Sequence, residues 1–156
     1  MPSKQFVFMV LEEHPYGREM LMQLMEAEHY PMAIIEEASD IAEEEKGKFL
    51  ERIMGHRVAP TFTELLEGKD IPRYKVPHHN KKTCRLLLQE LNPDLGVLGG
   101  TRIIRDRILR IPQDGMLNSH PGLLPEALRA RRGQCTTISQ SARHATSLTP
   151  ALTREI

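Results

Sequence analysis

Two kinds of apolar pattern alternate along this chain, short unbroken runs and stretches with helical spacing. Gln5 to Leu11 (QFVFMVL) is an apolar run with aromatic and β-branched residues, which predicts a buried strand. Gly17 to His29 follows, with Met20, Leu21, Leu24 and Met25 at helical spacing. Pro31 to Ile35 predicts a second strand. Ser39 or Asp40 can cap a charged helix from Ile41 to Met54. Residues 57–70 read as a loop with a short helical turn. Ile71 to Val76 is a third strand, which Pro72 places at an edge or at its own start. Asn80 can cap a helix running to Leu91. Pro93 to Leu98 is a fourth strand ending in Gly99-Gly100. A short helix from Arg105 to Arg110 leads to a fifth strand, Gly115 to Asn118.

Strands alternating with helices predict an α/β fold, a Rossmann-like open parallel sheet with helices on both faces. Its crossovers should be right-handed. Ligands of such sheets bind beyond the carboxyl ends of the strands, near the reversal of strand order. Gly99-Gly100 and Asn118-Ser119-His120 both fall at predicted carboxyl ends. The pattern weakens after Glu126. Residues 1–126 are therefore read as one α/β domain and 127–156 as a polar tail, which leaves the sheet incomplete on its C-terminal side.

Composition changes this picture little. A chain of 156 residues can bury a real core. Lys plus Arg (21) equals Asp plus Glu (21), so no global field draws the protein to nucleic acid or acidic membranes. The basic residues of the tail, Arg129, Arg131 and Arg132 among them, lack interleaved aromatics, which argues against a nucleic-acid role. No apolar run approaches the roughly 20 residues that cross a bilayer, and no signal-peptide pattern opens the chain, so a cytoplasmic protein is expected. Cys84 and Cys135 have no metal-like spacing, and His78-His79 with Cys84 fits no zinc pattern. No metal site is expected, and His78-His79 reads as a solvated loop. Glu36-Glu37 and Glu43 to Lys46 read as solvated surface, and Met20, Met22, Met25 and Met54 as core filler.

The candidate chemistry lies in Asn118-Ser119-His120-Pro121-Gly122-Leu123-Leu124-Pro125. Asn118 offers two N–H donors. Aimed at a carbonyl oxygen, they would stabilise the negative charge that develops as an amine attacks. His120 titrates near neutrality and can donate to that oxygen or relay a proton. At i and i+2 the two share one side of an extended segment. Pro121 biases His120 towards extended geometry. A bare Asn-x-His is equally the pattern of a strand that ends in a polar tip and a Pro-Gly turn.

The whole string resembles the signature of the folate-dependent formyltransferases, in which an Asn-x-His-Pro-x-Leu-Leu-Pro segment carries the active site. Pro93 to Ile104 (PDLGVLGGTRII) is similar to that family's fourth strand and the loop beside its folate pocket. The resemblance covers residues 4–126, loosely in the first half. It implies formyl transfer from 10-formyltetrahydrofolate to an amine, with Asn118 and His120 catalytic. Leu98, Gly99, Gly100, Thr101, Arg102 and Ile103 would hold the folate, mostly through backbone. Pro121, Gly122 and Leu123 would lie against the amine acceptor, a small amine, amino sugar or glycinamide ribonucleotide. The glycinamide ribonucleotide enzymes carry a Gly/Ser-rich phosphate turn after their first strand. Here Glu12-Glu13-His14-Pro15-Tyr16-Gly17 stands in that place, and two carboxylates would repel phosphate, which tilts the acceptor towards an amino sugar or another small amine.

The family's third catalytic group is an Asp, and no Asp follows His120. The genetic code offers an account. Joining the third base of each codon to the first two of the next, from Cys135 to Ile156, allows the string H-D-N-I-P-I-G-A-T-C-H-F-I-D-A-G-I-D-T-G-D. That string resembles the formyltransferase continuation, with the missing Asp spanning the codons of Leu152 and Thr153. A frameshift near residues 126–130 is thus expected. The polypeptide as written would have at most trace formyltransferase activity, and the sheet edge left bare would invite pairing with another copy or partner. The reading from a different class is a non-catalytic α/β domain that binds a nucleotide or a partner at the same edge.

Overall fold

The computed structural model of the chain describes residues 4–119. Five strands alternate with helices, β1 (Phe6–Leu11), α1 (Pro15–Glu26), β2 (Ala33–Glu37), α2 (Asp40–Arg52), α3 (Phe62–Leu65), β3 (Arg73–Val76), α4 (Lys82–Leu91), β4 (Leu95–Leu98), α5 (Asp106–Leu109) and β5 (Met116–Asn118). All pairings are parallel and the strand order is β3-β2-β1-β4-β5. The chain moves outwards from β1 to β3, then returns to β1's other side with β4. The reversal lies between β1 and β4, so the loops that leave Leu11 and Leu98 meet there.

The alternation of β1 explains the two-faced core. Val7 and Met9 point to one face and pack with Ala33, Ile35, Cys84, Leu88, Ile108 and Met116. Phe6, Phe8 and Val10 point to the other and pack with Leu21, Ile34, Phe62 and Val97. Thus α4 and α5 cover one face, α1 and α3 the other. Both faces of β1 are buried, so the strand reads as an unbroken apolar run. Each fully buried Phe, Ile or Leu side chain contributes about 1.5–3 kcal/mol.

The expected elements are present, with informative differences. The second strand runs to Glu37, because its pairing continues through Glu36↔Lys75 and Glu37↔Val76. Those two glutamates are completely buried, which overturns their reading as solvated surface. Ser39 caps α2 through a bond from the Ala42 amide (3.2 Å). Thr61 and Glu64 form a capping box on α3. Asn80 does not cap α4. Lys81 holds that position without a side-chain cap, and Asn80 is bonded elsewhere. Met54 is 87% exposed and its backbone is left-handed at φ 49°, so it fills no core. His79 is fully buried and is no part of a solvated loop. The domain limit at residue 126 and the tail 127–156 lie outside the described residues, and so do His120, Pro121, Gly122 and Leu123.

Candidate active-site rim

The carboxyl ends of the strands form one rim, and close backbone approach fixes its centre. The Gly99 amide donates to the Met9 carbonyl (2.8 Å), and the Leu11 amide donates to the Gly100 carbonyl (3.1 Å). A methyl group on Gly99 would lie 2.0 Å from the Phe8 ring, and one on Gly17 would lie 2.3 Å from the Gly99 carbonyl oxygen. These glycines therefore dock α1 and the β4–α5 loop against β1. Gly100 adopts φ 82°, a conformation that glycine takes without strain. Leu98 points into the core. Beyond them, the amides and carbonyls of Thr101 and Arg102 make no hydrogen bond with another described residue. These are the backbone groups in this loop that can reach a flat ligand.

Asn118 ends β5 in register with Leu98, so its exposed carboxamide stands at the start of that loop. The next residue, Ser119, is 2.9 Å from Tyr16 Oη through its own Oγ, which ties the end of β5 to the start of α1. The structure thus brings Asn118 to the same rim as Thr101, Arg102 and Ile103.

The strand alternation sends one buried carboxylate of β2 to each face, and each is held by cations from neighbouring segments. On the α1 side, Arg73 donates Nε–H to Glu36 (2.7 Å) and Nη2–H to Glu13 (3.0 Å), and Arg18 lies 4.0 Å from Glu13. Glu12 pairs with Lys75. Both carboxylates after β1 are thus compensated, so their repulsion of an anionic acceptor is much weaker than the sequence alone implies. Glu36 and Glu13 both favour the charged form of Arg73 and hold its pKa above the usual range.

On the α4 side, Glu37 pairs with Arg102 Nη2 (2.8 Å) and accepts from the His79 amide (2.9 Å) and Ser39 Oγ (3.1 Å). His79 Nε2 lies 3.0 Å from the Ile35 carbonyl, so that nitrogen carries the proton, and Nδ1 faces Glu37 at 3.4 Å. Burial pushes the His79 pKa down, against the opposing pull of Ile35 and Glu37. Burial also lowers His14, whose ring stacks edge-on to Phe49 and whose Nδ1 has no partner among the described residues. The Cys84 thiol is pushed up to about 12 by burial, which makes it a core side chain at neutral pH.

Sequence reasoning passed over Glu37, His79 and Asn80. Asn80 joins two loops, donating Nδ2–H to the Ile103 carbonyl (2.8 Å) and accepting from the Arg105 amide (2.7 Å). The available signal was a pair of acids that continues an apolar strand, since buried carboxylates demand partners. Among the described residues no helix is long and apolar enough to cross a membrane, and no His, Cys, Asp and Glu group could hold a metal ion.

No family model matches the chain. It is 30% identical over 74 residues to the methionyl-tRNA formyltransferase of Thermotoga neapolitana, which covers 46% of this chain and 24% of that protein. The Thermotoga maritima enzyme is 31% identical over the same length, with the same coverage. The chain thus spans about a quarter of the length of these relatives. Among solved structures, it overlays glycinamide ribonucleotide transformylase 1 from Symbiobacterium toebii with a TM-score of 0.47 and 17% identity, over 83% of this chain and 62% of that one. For phosphoribosylglycinamide formyltransferase from Anaplasma phagocytophilum the values are 0.49 and 17%, over 82% and 59%. The sequence match is thus a local one, in which 74 residues of this chain are similar to methionyl-tRNA formyltransferases.

Proposed function

We propose that this rim is the folate side of a formyltransferase site, serving transfer of a formyl group from 10-formyltetrahydrofolate to an amine. The observation that carries the reading is the register of Asn118 with Leu98, which sets a carboxamide beside the β4–α5 loop at the reversal of strand order. The related methionyl-tRNA formyltransferases support the same reaction class.

In this reading the open backbone of Thr101 and Arg102 holds the flat ring of the donor, with Ile103 against it. Gly99 and Gly100 shape the loop rather than contact the ligand, because their backbone and missing side chains serve β1 and α1. Asn118 N–H groups stabilise charge on the formyl oxygen as the amine attacks. His120 takes or returns the proton that the attacking amine sheds. Pro121, Gly122 and Leu123 bind the acceptor. Since Glu12 and Glu13 are paired, an amine carried on a phosphorylated molecule suits the rim as well as an amino sugar does. Residues 127–156 replace the segment that carries the Asp through a shift of reading frame, so the polypeptide as written has at most trace turnover.

The test pairs the chain with a frame-restored version. Both are assayed for 10-formyltetrahydrofolate turnover against a panel of amines, alongside binding of a folate analogue. The restored chain should turn over, and Asn118→Ala should reduce kcat by about 100-fold or more, the scale of losing an oxyanion donor. A restored chain that neither binds the analogue nor turns over refutes the reading. Codons for Cys135 to Ile156 that do not spell the shifted string refute the frameshift.

A further inference from the structure

We propose that Tyr16 is a positioning residue for the chemistry of the rim, its hydroxyl holding Ser119 and so aiming the Asn118 carboxamide. This role rests on the formyl-transfer reading and gives it a residue far outside the Asn-x-His string. Tyr16 is the second residue of α1, at the other side of β1 from β5 in the chain. Its Oη lies 2.9 Å from Ser119 Oγ and 3.5 Å from the Ser119 carbonyl oxygen.

The alternation of β5 sets which way each side chain faces. Met116 packs in the core on the α4–α5 face, and Leu117 packs against the core on the α1–α3 face. Asn118 returns to the first face, in register with Leu98, which packs there too. Ser119 therefore falls to the α1 face, where Tyr16 meets it. A hold on Ser119 from that side fixes the rotation of the strand end. It turns Asn118 the other way, to the side on which Arg102 meets Glu37. An extended continuation would carry His120 to the same side as Asn118.

The strand end needs such a hold. Among the described residues β5 pairs with β4 alone, the ladder ends at Leu98↔Asn118, and Ser119 bonds to no residue but Tyr16. Tyr16 is itself braced. Its neighbour Gly17 lets α1 press on the Gly99 carbonyl oxygen, where a methyl group would lie 2.3 Å away. The Tyr16 ring runs beside Gly100, 3.4 Å from where a Cβ would stand, and tilts against Phe49 with centroids 6.4 Å apart. The hydroxyl thus stands at the tip of a flat ring held by the β4–α5 loop and by α2, and one side chain sets that loop and the carboxamide relative to each other. An oxyanion donor acts only within about 2.7–3.1 Å of the developing charge. Slack at Ser119 therefore weakens the transition state, while the donor, held by loop backbone, still binds.

The experiment compares Tyr16→Phe, which keeps the ring and removes the hydroxyl, with Ser119→Ala, the double variant, and Tyr30→Phe, an exposed tyrosine at the opposite end of the sheet. In the frame-restored chain, Tyr16→Phe and Ser119→Ala should each lower kcat by about tenfold, the scale of one hydrogen bond, with KM for 10-formyltetrahydrofolate unchanged. The double variant should lose no more than either single one, because the two residues share one bond. Tyr30→Phe should match the parent. In the chain as written, backbone amide NMR relaxation reads the tether without turnover. The Ser119 order parameter should fall from about 0.85 to below about 0.6 in Tyr16→Phe. Circular dichroism establishes that the variants are folded. A bond that serves stability alone would leave kcat intact. Unchanged kcat in Tyr16→Phe, additive losses in the double variant, or an unchanged Ser119 order parameter overturns the proposal. A restored parent without turnover refutes the formyl-transfer reading and the role of Tyr16 with it, whereas an active parent beside an unaffected Tyr16→Phe refutes the role alone.

Discussion

Replacing Glu37 by alanine probes the element on which the α4 side of the rim rests. The side chain is fully buried, accepts hydrogen bonds from the His79 amide and Ser39, and forms an ion pair with Arg102. Truncation leaves the His79 amide buried without its partner and Arg102 without its counter-ion. Removing one member of a buried pair costs about 3–5 kcal/mol. Arg102 retains 25% exposure and can turn towards water, so the lower part of that range is expected, near 3 kcal/mol. Against a total stability of about 5–15 kcal/mol, this is a large fraction. Glu37→Gln keeps an acceptor for one donor and should cost less, about 1–3 kcal/mol. The assay is urea unfolding followed by circular dichroism, with Glu12→Ala as the exposed-pair reference, expected within about 1 kcal/mol of the parent. A double cycle with Arg102→Ala isolates the pair. The reasoning is refuted if Glu37→Ala costs no more than Glu12→Ala, or if Glu37 and Arg102 prove additive.

Other perturbations follow from the same contacts. Gly17→Ala puts a methyl group 2.3 Å from both the Gly99 carbonyl oxygen and Val10 Cγ2, so α1 must shift. A loss of about 1–3 kcal/mol is expected in the denaturant midpoint. His14 and His79 are held below their ordinary value of 6.5 by burial, so the unfolded chain takes up more protons than the native one as pH falls through that value. Stability should be full above that range and decline below it, and His14→Phe should lessen the decline in melts across pH. Cys84, buried and with its thiol pushed up to about 12, should resist alkylation in the native state and react on unfolding, as mass spectrometry would record.

Most of the sheet was legible because β1, β4 and the Ala33–Ile35 part of β2 are largely buried, which leaves them as apolar runs bounded by breakers. Pro72 left β3 either at an edge or with the proline at its start, and β3 is an edge strand that begins at Arg73, just after it. The rim was less so. Glu36 and Glu37 look like solvent-facing acids until Arg73 and Arg102, distant in sequence, are brought to them by strand pairing. His79 looks like half of a polar doublet, but the register of β2 carries the Ile35 carbonyl to its ring. Local pattern reports periodicity and turn chemistry, whereas ion pairs across a parallel sheet join segments that only the crossover connections bring together. Asn118 was singled out because its neighbours form a recognisable string. Asn80 was not, since its two bonds depend on a loop that begins beyond β4.

The strand order has a consequence for how the chain is made. β1 lies at the centre of the sheet, yet its two neighbours come from well-separated parts of the sequence, β2 soon after it and β4 only after β3 and α4. As the polypeptide leaves the ribosome, the β1–β3 half can assemble early with one flank of its central strand unpaired. Closure by Leu95–Leu98 must wait for a long loop to be drawn in, a slow and entropically costly step. Until then the nascent protein presents an open strand edge, and it is in that interval that a chaperone or a second nascent chain would meet it.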